Sequence, residues 1–298
     1  MPNKDFIFHN KLPKSGSSTM NNLLIMLSRK NKFFYQKLNP HNLPRDQLTA
    51  ERPTVDFIRN NVTGFPFVLL KHHFPFNFEK YGIKQPTFIN VLRDPVDWFQ
   101  SHYYFERNGW ERGEGDRNSF KGSEKDRNMI VDDCVMGQGF YQKSLNFDPK
   151  NIFCEIFSMQ KASQCVSVPW KYLEFLCGNQ YPCHSRGVSE STVQKAVEKS
   201  KFNILSNFYV IGILEQWDDT LNLFERMMPD IFTGVQAVWH SPRLQEKRKS
   251  TKSVGQVKMN NASRLYFQTG PLRYEYDVYS FARALFNKRM EKLGRLNF

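Results

Sequence analysis

Four short apolar runs, each bounded by polar or turn-forming residues, set the limits on how this chain folds. FIFHN (6–10) leads through KLPKSGSSTM into the helix-like MNNLLIML. FPFVLLKHH (65–73) comes second, and PTFINVLRDP (86–95) third, stopped by Asp94-Pro95 and followed by VDWFQSHYYFERNG. YVIGIL (209–214) follows the amphipathic STVQKAVEKSKFNILSNF. Runs of this length read as buried strands, and apolar residues at three- and four-residue spacing read as helices. Pro95 suits a first helical turn. Strands alternating with helices predict an α/β fold with a mainly parallel sheet flanked by helices. In such a sheet ligands sit beyond the C-terminal strand ends. Residues 11–19, 71–73 and 92–94 all fall there.

The remaining segments are read more coarsely. A helix is expected near 46–60, a long charged loop at 108–128, mixed helix and loop over 134–185, and one helix in EQWDDTLNLFERMMPDIF. SPRLQEKRKSTKSVGQVK (241–258) reads as a basic loop, and LRYEYDVYSFARALFNKRMEKL as a closing helix. There is no internal repeat, and 298 residues suit either one large α/β domain, read as a single domain over 1–298, or two small ones.

Charge narrows the partners. Forty-two Lys and Arg against 29 Asp and Glu leave a net +13, which implies a polyanion or an anionic membrane surface. Charge alone does not separate nucleic acid from acidic polysaccharide. No run of 18 apolar residues could span a membrane, and MPNKDFIFHN lacks the apolar core of a signal peptide. A strand beginning at residue 6 points to an upstream anchor outside this chain. Five cysteines show neither CxxC nor zinc spacing, so no metal site is expected; by themselves they read as free thiols. The sequons at Asn61 and Asn261 lean toward a secretory compartment.

The turn after the first strand holds Lys14, Ser15, Gly16, Ser17, Ser18 and Thr19. Unpaired N–H groups at a helix start, a glycine, four hydroxyls and a lysine together make an anion site. The lysine precedes the glycine, so this is not the nucleotide loop G-x-x-x-x-G-K-[ST], and a plain capped turn is the competing reading. Arg93 ends the third strand, and Ser101 lies eight residues on, along the next helix; together they would make a two-point phosphate clamp. His72-His73 ends the second strand, beside both elements, where a general base would stand.

These elements, with NKLPKSGSST, KHHFPFNFEKYG, QPTFINVLRDPVDWFQSHYYF, NGWERGEG, VDDC, FLCGNQYPC, VIGILEQWDD and LRYEYDVY, resemble the uronosyl 2-O-sulfotransferases along nearly the whole chain. GWERGEG, GILEQWDD and LRYEYDVY tilt the likeness toward the uronyl branch, which acts on dermatan and chondroitin sulfate, over the heparan sulfate branch. The resemblance implies a PAPS-dependent sulfotransferase fold, related to P-loop NTPases. It implies transfer of a sulfuryl group from 3′-phosphoadenosine 5′-phosphosulfate (PAPS) to the uronate 2-O position of glycosaminoglycan chains, without a metal. Lys14 through Thr19 would cradle the 5′-phosphosulfate, with Lys14 stabilising charge on the leaving phosphate. Arg93 and Ser101 would hold the 3′-phosphate, and Lys11 and Arg112 would contact the acceptor.

The family carries His-x-His where this chain has His72-His73. Aligned without a gap, His72 matches the first histidine and Phe74 replaces the second; one shifted gap puts His73 on the second. The need for a base favours His73, with His72 the alternative. The likeness further implies disulfides Cys177–Cys183 and Cys134–Cys165, a free Cys154, a Golgi-lumenal type II membrane protein and a homo-oligomer, a trimer as in the heparan branch. Two rivals stand beside it: a nucleotide kinase, which would want a Gly-Lys-[Ser/Thr] loop, and a non-catalytic heparin-binding module.

Overall fold

The four expected strands form, together with one the pattern did not announce. β1 is Phe6–Asn10, β2 Phe34–Lys37, β3 Phe67–Lys71, β4 Thr87–Leu92 and β5 Phe208–Ile213. They make one parallel sheet in the order β2-β3-β1-β4-β5. The computed structural model describes residues 6–37, 56, 58–60, 67–71, 78–110, 123–137, 171–178, 182–183 and 189–295. The helices are α1 (Ser17–Asn31), α2 (Pro95–Asn108), α3 (Glu124–Asn128), α4 (Val131–Gly137), α5 (Lys171–Cys177) and α6 (Glu190–Ser206). They continue with α7 (Trp217–Met227), α8 (Pro229–Phe232), α9 (Val235–Trp239), α10 (Pro242–Ser250), α11 (Asn261–Thr269) and α12 (Arg273–Arg295).

β1 and β4 are buried along their whole lengths, as central parallel strands covered on both faces should be. β1 sits in the middle of the sheet, with Asn10 in register with Lys71 of β3 and His9 with Ile89 of β4. The strand order runs outward in both directions from β1, so a crevice opens at its C-terminal end. The high phenylalanine content is spent here. Phe8 packs against Phe78 and Phe88 with ring centroids 5.7 and 5.2 Å apart, and Phe88 against Phe208 at 5.7 Å. Such tilted and edge-on pairs add about 0.5–1.5 kcal/mol each beyond their buried area.

Several expectations need correction. The segment 215–232 is not one helix: residues 214–216 form a 3-10 turn, α7 ends at Met227 and α8 begins at Pro229. Proline has no N–H to give and its ring clashes with the preceding turn, so the helix must restart there. Half of the basic loop 241–258 is helical, because Pro242 opens α10 and buried Leu244 anchors it while its basic residues stay exposed. α11 was missed although Asn260 caps it, its Oδ1 accepting from the Ser263 N–H at 2.8 Å. In the charged stretch 108–128, a reciprocal Ser123/Asp126 capping box makes α3. β2 escaped notice because FYQK is a half-exposed edge strand with no apolar run. The helix expected near 46–60 falls mostly outside the described residues.

At Gly212, in β5, an added Cβ would lie 2.1 Å from Thr220 Cγ2. Thr220 cannot swing away freely: its hydroxyl accepts from the Ile213 N–H at 2.8 Å and donates to the Ile213 carbonyl at 2.9 Å. Gly212→Ala is therefore expected to lower stability by about 1–3 kcal/mol, read as a lower urea midpoint with an unchanged slope. An unchanged midpoint would show that β5 and α7 separate at little cost.

Cys177 and Cys183 are disulfide-bonded, as the resemblance implied. Cys134 is buried and disulfide-bonded; its expected partner Cys165, like Cys154, lies outside the described residues. Asn261 is exposed in the first turn of α11, but Ser263 of its sequon is fully buried. Asn61 lies outside the described residues. No helix among the described residues is long and apolar enough to cross a membrane.

Candidate active site

Between β1 and α1 the chain turns through two residues of positive φ, Lys14 at 59° and Gly16 at 76°. Gly16 is the N-cap of α1, and an added Cβ there would meet Leu214 Cδ1 at 2.8 Å. The positive φ favours glycine there, and any side chain would also have to push the Leu214 tip aside. No acidic residue occupies the first turn of α1, so the N–H groups of Ser17, Ser18 and Thr19 face outward without a compensating charge. Ser15 Oγ is buried with no hydrogen-bond partner among the described residues.

The turn is tied to the start of α2. Trp98 Nε1 donates to the Pro13 carbonyl at 2.7 Å, and Arg93 Nη1 donates to the Lys14 carbonyl at 3.1 Å. Asp94 caps α2, its Oδ1 accepting from the N–H groups of Val96 and Asp97 at 3.0 and 3.1 Å. The Tyr276 hydroxyl donates to the same carboxylate at 2.8 Å, and Arg264 pairs with both Asp94 and Asp97. Glu215 accepts from the Asp94 N–H at 2.9 Å and from the Tyr279 hydroxyl at 3.0 Å. Burial raises its carboxyl above the ordinary range. The acidic groups are thus engaged at the base of the site, and the cations are left to face the opening.

A cleft of about 1200 Å³ opens over these elements. Lys11, Lys14, Gly16 through Thr19, Arg93 and Ser101 all line it, so the structure gathers both expected anion sites into one place. Lys14 Nζ rests 4.2 Å from the centre of the Phe105 ring and 5.9 Å from that of Trp110. Burial, and then the positive charge of Arg93, push its ammonium down to about 7. Lys11 is pushed down to about 8 by burial and then by Lys37. Two crowded, partly desolvated cations with depressed pKa values make a site that gains by taking up an anion.

The basic segment 241–258 was expected to close over the site, whereas the tryptophan wall was not foreseen. Trp217 and Trp239 pack edge to face at 5.7 Å on one side, with Arg248 stacked 5.1 Å from the Trp239 ring. Across the top runs a strap, 251–259, carrying Lys252 and Lys258. Gln100 holds it through Val257 and Met259, and Ser253 Oγ donates to the Ser101 carbonyl at 3.1 Å. Trp110 pairs with Ser253 as an antiparallel bridge. One signal was available: Asp97, Ser101 and Phe105 stand four residues apart, so the helix face that carries Ser101 also carries the others to the cleft.

His72, His73 and Arg112 lie outside the described residues. No group of three or more metal-ligating side chains occurs among the described residues.

No protein-family model matches the chain. Over 299 residues it is 28% identical to uronyl 2-sulfotransferase of Mus musculus, covering 99% of this chain and 65% of that protein. The Homo sapiens protein of that name gives 27% over the same shares. Heparan sulfate 2-O-sulfotransferase 1 of Xenopus laevis is 26% identical over 282 residues, 93% of this chain and 69% of that protein. The chain thus spans just under two thirds of the length of the uronyl 2-sulfotransferases it matches. A solved structure of retinol dehydratase in complex with androsterone and inactive cofactor PAP aligns over 95% of the chain at 12% identity, with a TM-score of 0.23, too loose a likeness to argue from. Along 99% of its length the chain is thus similar in sequence to uronyl 2-sulfotransferases.

Proposed function

We propose that the chain is a glycosaminoglycan 2-O-sulfotransferase that takes its sulfuryl group from PAPS. The observation that carries this is the single cleft lined by Lys14, the α1 N-terminus, Arg93 and Ser101. Two separate anion-binding elements suit a donor with phosphate at one end and phosphosulfate at the other. The residues present fit such a donor: the α1 N-terminus with Gly16 through Thr19 lines the cleft with no acidic residue in its first turn, and beside it stand Lys11 and Lys14, two cations whose pKa values burial and neighbouring positive charge depress. PAPS supplies an activated sulfuryl group bonded to a phosphate oxygen.

The chain's own residues would do the rest. The α1 N-terminus and the hydroxyls of residues 15–19 orient the 5′ end, and Arg93 and Ser101 the 3′ end. His73, or His72, takes the proton of the acceptor hydroxyl as its oxygen bonds to sulfur and the bond from sulfur to the phosphate oxygen breaks. Lys14 stabilises the charge left on that phosphate. Lys11 and Arg112 meet the acceptor, and the exposed cations of α10 and the strap give a polyanion a surface to follow.

We read the acceptor as dermatan or chondroitin sulfate, because the uronyl relatives match more of the chain at higher identity than the heparan ones do. The disulfides and sequons agree with an oxidising lumen such as the Golgi. The test is transfer of radiolabelled sulfate from PAPS to desulfated dermatan, chondroitin and heparan in parallel, followed by disaccharide analysis. Label on the uronate 2-position is expected, with dermatan or chondroitin preferred. Label mainly on heparan would move the chain to that branch. No incorporation with intact PAPS binding would leave a sulfotransferase-like binder.

A further inference from the structure

Arg93 is the first residue past β4, and nothing in its own sequence neighbourhood explains what holds its backbone. The answer comes from a distant helix. Tyr172, fully buried in α5, brings its hydroxyl to both backbone polar groups of Arg93. The Arg93 N–H donates to Tyr172 Oη at 3.1 Å, and the same hydroxyl donates to the Arg93 carbonyl. One side chain therefore satisfies the donor and the acceptor of the residue whose guanidinium faces the cleft.

α5 is itself held at both ends, which a helix this short requires. At its start the buried Glu275 of α12 accepts from the N–H groups of Tyr172 and Leu173 at 2.7 and 3.0 Å. At its end Asn203 of α6 donates to the carbonyls of Leu176 and Cys177 at 2.8 and 2.9 Å, and Cys177 is bonded to Cys183. In between, Asn10 at the end of β1 donates to the Phe175 carbonyl at 3.1 Å. A support thus runs from α12 and α6 through α5 to the backbone of Arg93 at the cleft. The fixed peptide matters because a guanidinium recognises phosphate through paired, directional bonds, which fail when its root shifts.

We propose that Tyr172 is a positioning residue for the anion site at Arg93: its hydroxyl fixes the strand end from which Arg93 reaches the ligand phosphate. The inference rests on the reading of Arg93 as the 3′-phosphate contact and adds a part to it. Tyr172→Phe keeps the buried ring and removes both hydrogen bonds. The measurement is calorimetric titration of wild type and variant with adenosine 3′,5′-bisphosphate and with adenosine 5′-monophosphate. The ratio of the two affinities isolates the contribution of the 3′-phosphate.

Wild type is expected to prefer the bisphosphate, and Tyr172→Phe to shrink that preference by about tenfold, with monophosphate affinity held within about twofold. A merely structural role would weaken both ligands together and leave the ratio alone; that result overturns the inference while the site reading stands. If wild type shows no preference for the bisphosphate, the reading of Arg93 falls, and this inference with it. Should Tyr172→Phe not fold, Glu275→Gln loosens the same helix from its far side and is read on the same ratio. A reduced preference supports the support chain, and an unchanged one overturns it.

Discussion

Replacing Lys14 with methionine is expected to slow sulfuryl transfer by about 10²–10³-fold at saturating donor, the usual effect of removing a group that stabilises developing negative charge. Methionine keeps the unbranched length and the apolar contact with Phe105, so the loss isolates the charge. Lys14 is the only lysine in the turn that leads into α1, and its carbonyl is fixed by Arg93. Its ammonium rests over Phe105 with no carboxylate bonded to it among the described residues, so it is available to an incoming phosphate. Label incorporation from PAPS with donor in excess measures the effect. A loss smaller than about tenfold would make Lys14 a binding group and move charge stabilisation elsewhere in the cleft.

The same lysine sets a pH dependence whose sign follows from its environment. In the free protein its pKa is pushed down to about 7, so at pH 8 much of it is neutral. A bound phosphate dianion restores the charge and raises the pKa, and binding above pH 7 therefore takes up a proton. The favourable contribution is full below about pH 7 and is lost as pH climbs toward the pKa of the complex. Affinity for adenosine 3′,5′-bisphosphate should fall between about pH 7 and 9, by up to tenfold per unit. Lys11, pushed down to about 8, steepens the fall at the upper end. Phosphate ionisation runs the other way but is nearly complete by about pH 7. In Lys14→Met the decline should flatten; an equal slope in both proteins would assign it to Lys11 or another group.

What could be read from sequence was whatever a single segment encodes. The strand, turn and helix around Lys14 and Gly16 are one continuous stretch, and so are β4, Arg93 and the proline-initiated α2. Both were legible because their chemistry and their local structure use the same residues. The walls of the cleft were not, because they meet only through the fold. Trp217 and Trp239 read as ordinary core aromatics until α7 and α9 face each other. The link from Tyr172 to Arg93 spans 79 positions in sequence and rests on a hydroxyl that looks like any other buried tyrosine's. Asp94 was visible as a strand stop, yet its partners Arg264 and Tyr276 lie 170 and 182 residues away. β2 and α11 failed for a different reason: each is short, and its marks are one exposed edge and one asparagine cap.

Changing His72 and His73 together to alanine is expected to lower transfer by about 10²–10⁴-fold, the range for loss of a general base. Binding of adenosine 3′,5′-bisphosphate should stay within about twofold of wild type. The described histidines offer no substitute. His9 is buried inside β1, and burial together with Lys11 pushes its imidazole down to about 3. His102 is bonded to Glu106 and stacked on Trp98, and His240 lies beside Asp218; none of the three lines the cleft. β3, by contrast, ends at Lys71 in register with Asn10, one residue short of Lys11, and the histidine pair follows directly in the chain. A sugar hydroxyl is a weak nucleophile near neutral pH, so the acceptor needs a proton acceptor where the strand ends converge. The single variants then decide between the two. If His73→Ala alone reproduces the double loss, His73 is the base; if His72→Ala does, the ungapped alignment is the right one. Transfer that persists in the double variant would remove the base from the His72-His73 pair altogether, while leaving the donor cleft built on Lys14 and Arg93 intact.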